Sequence, residues 1–389
     1  MEGEPLIFTI FLIFTGAALL ATVALYARQS LLVVYIVLGI ILGPSGVMLV
    51  TDAVLIKHIS HIGIIFLLFL LGLNLPPNKL IHLVRKTTVI TAISSLLFGV
   101  IGFGVGVMFG YTTFESIIIA VSLIFSSTII GIKLLPTTVL HHRRIGEIII
   151  SILLLQDLIA IVVLVLIQAI HQQQLVGREM LMLALAFAGL ILFAYIFNRF
   201  VLLKLIQRFD RIQEYVFLIT LGWCMGMAEL ANAVGLSYEI GAFVAGVALA
   251  TSPVALFIAE VLQPLRDFFL VLFFFSLGAT FDISMINVVL IPALILALLV
   301  LSLKPLIYKI LLHRSGESTE HSTEIGVRLG QGSEFSLLIA VLASDMQLIG
   351  AQSAYLIQVC TLITFMISSY LTVLRYPTPV AVSDALRRD

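Results

Sequence analysis

Charge is what this sequence has least of. Asp, Glu, Lys and Arg make up 11% of its residues, against roughly 25% in ordinary soluble domains. So few charges cannot solvate a chain that is 61% hydrophobic, which excludes a water-soluble globular domain and leaves lipid as the solvent. Formal net charge is zero, and no basic run or stripe is present, so a nucleic-acid partner is excluded. The two cysteines, Cys224 and Cys360, each sit inside an apolar run. They read as packing residues and exclude a disulfide framework. No P-loop occurs, which argues against ATP-driven transport by this chain. His58, His61, His82, His141 and His142 fall at loops or at the ends of apolar runs. They show no metal-ligand spacing with carboxylates or cysteines. Neither an enzyme nor a cofactor is expected.

What is present is a succession of apolar runs. About twenty such residues cross a bilayer as a helix. That ruler places spans at 6–26, 30–50, 59–75, 87–110, 114–135, 146–170, 179–204, 214–233, 237–252, 262–281, 285–312, 325–343 and 351–374. The expected fold is therefore an all-α membrane protein with about 13 transmembrane helices. The N-terminus, Met-Glu-Gly-Glu-Pro, carries acids where a signal peptide carries Lys or Arg, so the first run is read as a membrane helix. The longest polar connection is 313–324, and the chain is read as one membrane domain, 1–389, with a tail at 375–389. With the N-terminus outside, every loop Lys and Arg except Lys57 and Arg178 falls on the inner side. That asymmetry expects a multi-pass inner-membrane protein with its C-terminus in the cytoplasm.

The two halves read alike. Ile64-Ile-Phe-Leu-Leu-Phe-Leu-Leu-Gly72 matches Leu270-Val-Leu-Phe-Phe-Phe-Ser-Leu-Gly278, and the same offset carries Phe125-Ser126-Ser127-Thr128 onto Gln331-Gly332-Ser333-Glu334. Spans 1–6 (6–170) then repeat as spans 8–13 (214–374), with span 7 (179–204) as linker. A shift of seven spans inverts the second copy, and inverted six-helix repeats mark secondary transporters. Ser126-Ser127-Thr128 interrupts span 5, and Gly330-Gln331-Gly332-Ser333-Glu334 interrupts span 12. Backbone freed by such breaks must find protein, water or ion partners. Two facing breaks would offer carbonyls, hydroxyls and helix-end dipoles to an ion; small residues that merely pack are the plainer reading of Ser126 to Thr128. Gly102-Phe-Gly104-Val-Gly106 reads as close helix packing.

Intramembrane charges are rare enough that each is a functional candidate. Asp157 lies near the middle of span 6, beside Gln156. Burial raises a carboxyl pKa and a neighbouring cation lowers it. A site balanced between the two binds either a proton or a metal cation, and Gln156 adds a neutral carbonyl beside it. Lys304 is the one basic residue deep in a span. It could pair with a carboxylate or snorkel to a helix end. Glu334 sits in the second break, while Glu229 and Glu239 are weaker candidates. Asp52, Glu115, Asp282 and Asp345 fall near outer span ends, where water reaches them.

These motifs resemble a known family. Gly330-Gln-Gly-Ser-Glu-Phe335, Leu155-Gln156-Asp157, Ser126-Ser127-Thr128 and Gly235-Leu-Ser-Tyr-Glu-Ile-Gly-Ala-Phe-Val-Ala-Gly are similar to the Kef-type members of the monovalent cation:proton antiporter-2 family. Gly39-Ile-Ile-Leu-Gly43-Pro44-Ser-Gly46 and Phe273-Phe-Phe-Ser-Leu-Gly278 agree in order. The resemblance implies a sodium/hydrogen exchanger fold with a dimer domain, a core domain, and broken spans 5 and 12 crossing in the core. It assigns Asp157 as the carboxylate that exchanges a monovalent metal cation for a proton. Gln156 becomes its selectivity neighbour, Ser126, Ser127 and Thr128 further oxygen donors, and Lys304 the core lysine. It implies a homodimer moving its core like an elevator, with K⁺ favoured over Na⁺. Gated relatives carry a nucleotide-binding regulatory domain after the membrane part, whereas this sequence ends at Asp389, and Val261 stands where their regulatory loop has an aspartate. Either the protein is ungated, or a separate cytosolic subunit regulates it, or the sequence is part of a longer chain. A single carboxylate beside an amide that cannot ionise implies electroneutral exchange. An ungated cation channel would need a selectivity-filter loop, which the sequence does not show. A transport-inactive membrane sensor would have little use for Asp157, Lys304 and both breaks together.

Overall fold

The computed structural model describes residues 5–27, 29–50, 52–73, 77–133, 144–171, 177–209, 211–252 and 254–378. Its elements are helices throughout: α1 Pro5–Tyr26, α2 Leu31–Leu42, α3 Ala53–Leu73, α4 Pro77–Met108, α5 Thr113–Ser122, α6 Thr128–Lys133, α7 Arg144–His171 and α8 Gly177–Phe197. A π-turn at Asn198–Leu202 leads into α9 Leu203–Arg208, followed by α10 Gln213–Ala233, α11 Tyr238–Ala250, α12 Ala255–Val261 and α13 Gln263–Ala279. The chain closes with α14 Ile286–Arg314, α15 Thr319–Arg328, α16 Glu334–Asp345 and α17 Ala351–Arg375.

Among the described residues, seven stretches are long and apolar enough to cross a membrane: Leu6–Tyr26, Thr87–Met108, Arg144–Leu164, Leu185–Arg208, Gln213–Ala233, Ile283–Arg314 and Ala351–Arg375. Shorter apolar helices accompany them at Leu31–Leu42, His61–Leu73, Thr113–Ser122 and Tyr238–Ala250. Helix faces such as Ile191, Leu192, Phe193 and Ile196 on α8 are exposed. Apolar surface this continuous is stable against lipid and not against water. The two cysteines are buried free thiols, as expected.

Several boundaries depart from the sequence reading. The second span is helical only to Leu42, and α4 starts at Pro77. The polar stretch 313–324 is not all loop: Ser318 accepts from the His321 amide (3.2 Å) and starts α15 at Thr319. That is the side-chain cap an exposed helix N-terminus calls for. The tail from 379 onward lies outside the described residues.

The chain forms two compact units, and each draws on both halves of the sequence. One comprises Met1–Ala17, Tyr35–Ile81 and Gln168–Thr280. Within it α3 packs against α11 and α13. A Cβ on Gly246 of α11 would overlap the Phe69 carbonyl of α3, so only glycine lets the two backbones approach this closely. Phe66 and Phe269 stack at 4.6 Å, and Trp223 stacks on Phe197 and donates to the Ala245 carbonyl (3.1 Å). Glu239, at the start of α11, is buried beside His61 (3.7 Å), whereas Glu229 is exposed.

The other unit comprises Ala18–Val34, His82–Ile167 and Phe281–Asp389. Here α14 lies between α15 and α17, and α16 packs on α5 and α17. Its core gathers Ile90, Phe98, Ile149, Ile152, Tyr308, Leu312 and Ile325. Gly102 faces Ala120 of α5, and Gly106 faces Ser116, so the glycine run of α4 is a packing surface. Glu115, expected to be solvated, is half-buried. It closes a capping box with Thr112 at the start of α5 and also accepts from Gly350 N (3.1 Å) and Ser353 Oγ (2.9 Å) at the start of α17.

Candidate functional site

Every candidate residue except Glu229 and Glu239 falls in this second unit, and most meet at two helix breaks. Between α5 and α6 the residues 123–127 leave the helix, and between α15 and α16 the residues 329–333 do the same. Each helix that resumes is capped by a serine from its own break. Ser127 Oγ accepts from Ile130 N (3.1 Å), and Ser333 Oγ accepts from Phe335 N (3.2 Å). The breaks bond directly to one another: Ser126 Oγ donates to the Leu329 carbonyl at 2.8 Å. Just beyond them, Ser336 Oγ donates to the Ser122 carbonyl at 2.6 Å. Gln331 is held by Ser368, whose hydroxyl donates to its side-chain carbonyl (3.1 Å). Gly332 N donates to Thr364 Oγ1 at 3.0 Å.

Lys304 reaches this junction from α14 and is 1% exposed. Its ammonium donates to the Phe125 carbonyl at 2.6 Å and the Gln331 carbonyl at 3.1 Å, with Ser126 Oγ at 3.4 Å. The Phe98 ring lies under it at 5.1 Å. The sequence suggested a carboxylate partner or a snorkelling side chain. Instead, one buried cation collects orphan carbonyls from both breaks, the groups that unwound backbone in lipid most needs satisfied.

Asp157 is carried by α7 and is 1% exposed. Thr128, the first residue of α6, donates its hydroxyl to the carboxyl oxygens at 3.2 and 3.4 Å. Glu334, at the start of α16 and partly exposed, is near enough for the two carboxyls to interact as like charges. Among the described residues Asp157 forms no ion pair. A buried carboxylate without a counter-charge is costly in lipid, so the ionised form calls for a mobile cation and the neutral form for a proton.

Gln156 takes a part that its sequence position did not announce. Its carbonyl accepts from Ser126 N (3.0 Å), and its NH₂ donates to the Ile124 carbonyl (2.9 Å) and to the Tyr308 hydroxyl (2.7 Å). The side chain thus braces the first break on both sides, replacing bonds that a continuous helix would make. Tyr308, fully buried, went unnoticed in the sequence, and the Ser94 and Ser126 hydroxyls lie near its own. The available signal was its place one helical turn after Lys304, on the same face of α14.

The chain is 27% identical over 346 residues to a protein named iron transporter MagA from Paramagnetospirillum magneticum, covering 88% of this chain and 79% of that one. It is similar in structure to the sodium proton antiporter MjNhaP1 from Methanocaldococcus jannaschii at pH 8, with a TM-score of 0.66, 19% identity, and 95% and 96% of the two chains covered. An electron-microscopy structure of the same antiporter matches with a TM-score of 0.63 at 18% identity, over 96% and 94% of the chains. At these identities the structural likeness establishes the fold. The family model described as "Sodium/hydrogen exchanger, transmembrane" matches residues 10–373. The chain therefore belongs to the sodium/hydrogen exchanger family and is a multi-pass membrane transporter of the cation/proton antiport class.

Proposed function

We propose that this antiporter exchanges a monovalent cation, K⁺ in preference to Na⁺, for a proton, and that both compete for Asp157. The observation that carries this reading is a carboxyl 1% exposed beside a helix break, bonded by Thr128 and without an ion-pair partner among the described residues. Lys304 supports it, because its ammonium is engaged by carbonyls of the two breaks and leaves the carboxyl's charge to be balanced by the transported ion. Asp157 alternates between proton and cation, Thr128 supplies a hydroxyl oxygen, and backbone carbonyls of the breaks are the further oxygen source. Gln156, Ser126 and Ser127 shape the break that presents them. Asp157 then travels equally charged in both half-cycles, so the exchange is electroneutral. The unit holding both breaks is the transporting core, and the other unit is the dimer-forming part of a Kef-type homodimer. The N-terminus lies outside and the C-terminus in the cytoplasm of an inner membrane, where a separate subunit would have access to the chain.

Proton flux in proteoliposomes on addition of K⁺, Na⁺, Li⁺ or choline tests the proposal, with Fe²⁺ as a further arm because of the MagA similarity. Asp157→Asn should reduce flux to the level of empty liposomes while leaving the protein monodisperse, since an amide neither takes the proton nor balances the cation's charge. A folded Asp157→Asn protein that exchanges at the wild-type rate would refute the assignment.

A further inference from the structure

We infer that Tyr308 is a positioning residue: it locks the Gln156 amide and thereby sets how tightly Asp157 holds the metal cation relative to the proton. The inference rests on Asp157 being the exchange site. Its geometric basis lies in how α14 meets the first break. Lys304 and Tyr308 are one turn apart on α14, and they address consecutive peptides of the break. The Lys304 ammonium takes the Phe125 carbonyl at 2.6 Å. The Tyr308 hydroxyl accepts from Gln156 Nε2 at 2.7 Å, and the same amide takes the Ile124 carbonyl at 2.9 Å and the Ser126 amide at 3.0 Å. Three successive residues of unwound backbone are thus fixed by two side chains from α14, one of which acts through Gln156. The ring is held by Phe98, edge to face at 5.5 Å, and the Ser94 hydroxyl of α4, which donates to the Thr91 carbonyl, lies near the Tyr308 oxygen. Tyr308 and Gln156 are both 0% exposed.

A primary amide has two donor hydrogens and a carbonyl. In this site Ile124 and Tyr308 take the donors, while Ser126 N–H satisfies the carbonyl. Without the Tyr308 hydroxyl one donor is left unpaired in a dry site. The amide then gains by turning, and a turn pulls its carbonyl off Ser126 N–H. Residues 124–126 lose their fixed place just before Thr128, the residue that bonds Asp157. A proton needs only one carboxyl oxygen, whereas a metal cation needs several oxygens at fixed distances. Loosening the break should therefore weaken cation binding far more than proton binding. The charged groups around this region are Lys304 from α14 and Glu334 from α16, and neither is altered by removing a neutral hydroxyl.

The test is Tyr308→Phe in the full-length protein, reconstituted and measured as cation-driven proton flux. Losing one buried hydrogen bond corresponds to about a tenfold effect. The KM for the preferred cation should rise about tenfold, and kcat should stay within about twofold. At fixed cation the acid limb of the pH profile should move to higher pH by about one unit, because a competitor tenfold weaker needs tenfold fewer protons. Ser94→Ala, which removes a hydroxyl near the same oxygen, should shift KM in the same direction by a smaller factor, and it decides the matter if Tyr308→Phe does not fold. A lowered melting temperature with KM and pH profile unchanged would show a merely structural role and overturn the inference. So would a fall in kcat alone. Wild-type exchange that survives Asp157→Asn would instead overturn the site itself, which separates the two failures.

Discussion

Replacing Gln156 by leucine distinguishes a brace from an ion ligand. If the glutamine served only as an oxygen for the ion, leucine would remove a buried polar group and leave the resting fold as stable or more so. The structure predicts the opposite. Leucine is apolar and similar in size, but it strips the Ser126 N–H and the Ile124 carbonyl of their partners (3.0 and 2.9 Å) in a site where Gln156 is 0% exposed. Each buried backbone group left unpaired costs about 1–3 kcal/mol, so the gross loss is about 2–6 kcal/mol. Leucine no longer has to bury an amide, which returns about 1–2 kcal/mol. The net expectation is destabilisation by about 0–5 kcal/mol, centred near 2.5. Gln156→Glu keeps an acceptor for Ser126 N–H and should restore part of that loss at a pH where the new carboxyl is neutral. The assay is thermal unfolding of purified protein in one detergent, read as loss of the monodisperse peak on size exclusion, for wild type, Gln156→Leu and Gln156→Glu together. A Gln156→Leu protein at least as stable as wild type would refute the bracing role.

Gly246→Ala places a methyl against the Phe69 backbone, which cannot yield as a side-chain tip could. It should lower stability by about 1–3 kcal/mol, read in the same unfolding assay, while the larger glycine-to-valine change should abolish recovery of folded protein. Exchange should carry no net charge. Moving one charge per cycle against 100 mV would cost about 2.3 kcal/mol, so a rate that responds to a clamped potential, or a sustained current that scales with turnover, would show a second charge in the cycle.

Much of the candidate site is legible in the sequence because charge and polarity stand out in apolar surroundings. Asp157 and Lys304 are conspicuous for that reason, and so are Ser126-Ser127-Thr128 and Gly330-Gln-Gly-Ser-Glu. The structure brings both breaks to one place, joined through Ser126 and Lys304. Other features leave no such trace. Tyr308 is one aromatic among many in apolar helices, and its bond to Gln156 crosses 152 residues of chain. Glu115 looks like any acid at a span end until α17 supplies its partners from 235 residues away. Gln156 was read through its neighbour, yet consecutive residues of a helix point about 100° apart. That turn sends Asp157 toward Thr128 and Gln156 toward the bent backbone. The start of α15 was hidden because polar residues and a serine cap look the same in a loop as at an exposed helix end.

Competition at Asp157 is tested most directly by the apparent KM for the preferred cation as a function of pH in proteoliposomes. If proton and cation exclude one another from one carboxyl, apparent KM on the acid limb rises tenfold for each unit that pH falls, while maximal rate at saturating cation stays constant. An apparent KM that does not change with pH while exchange continues would mean that the two ions bind at different groups, and Asp157 would not be their shared site.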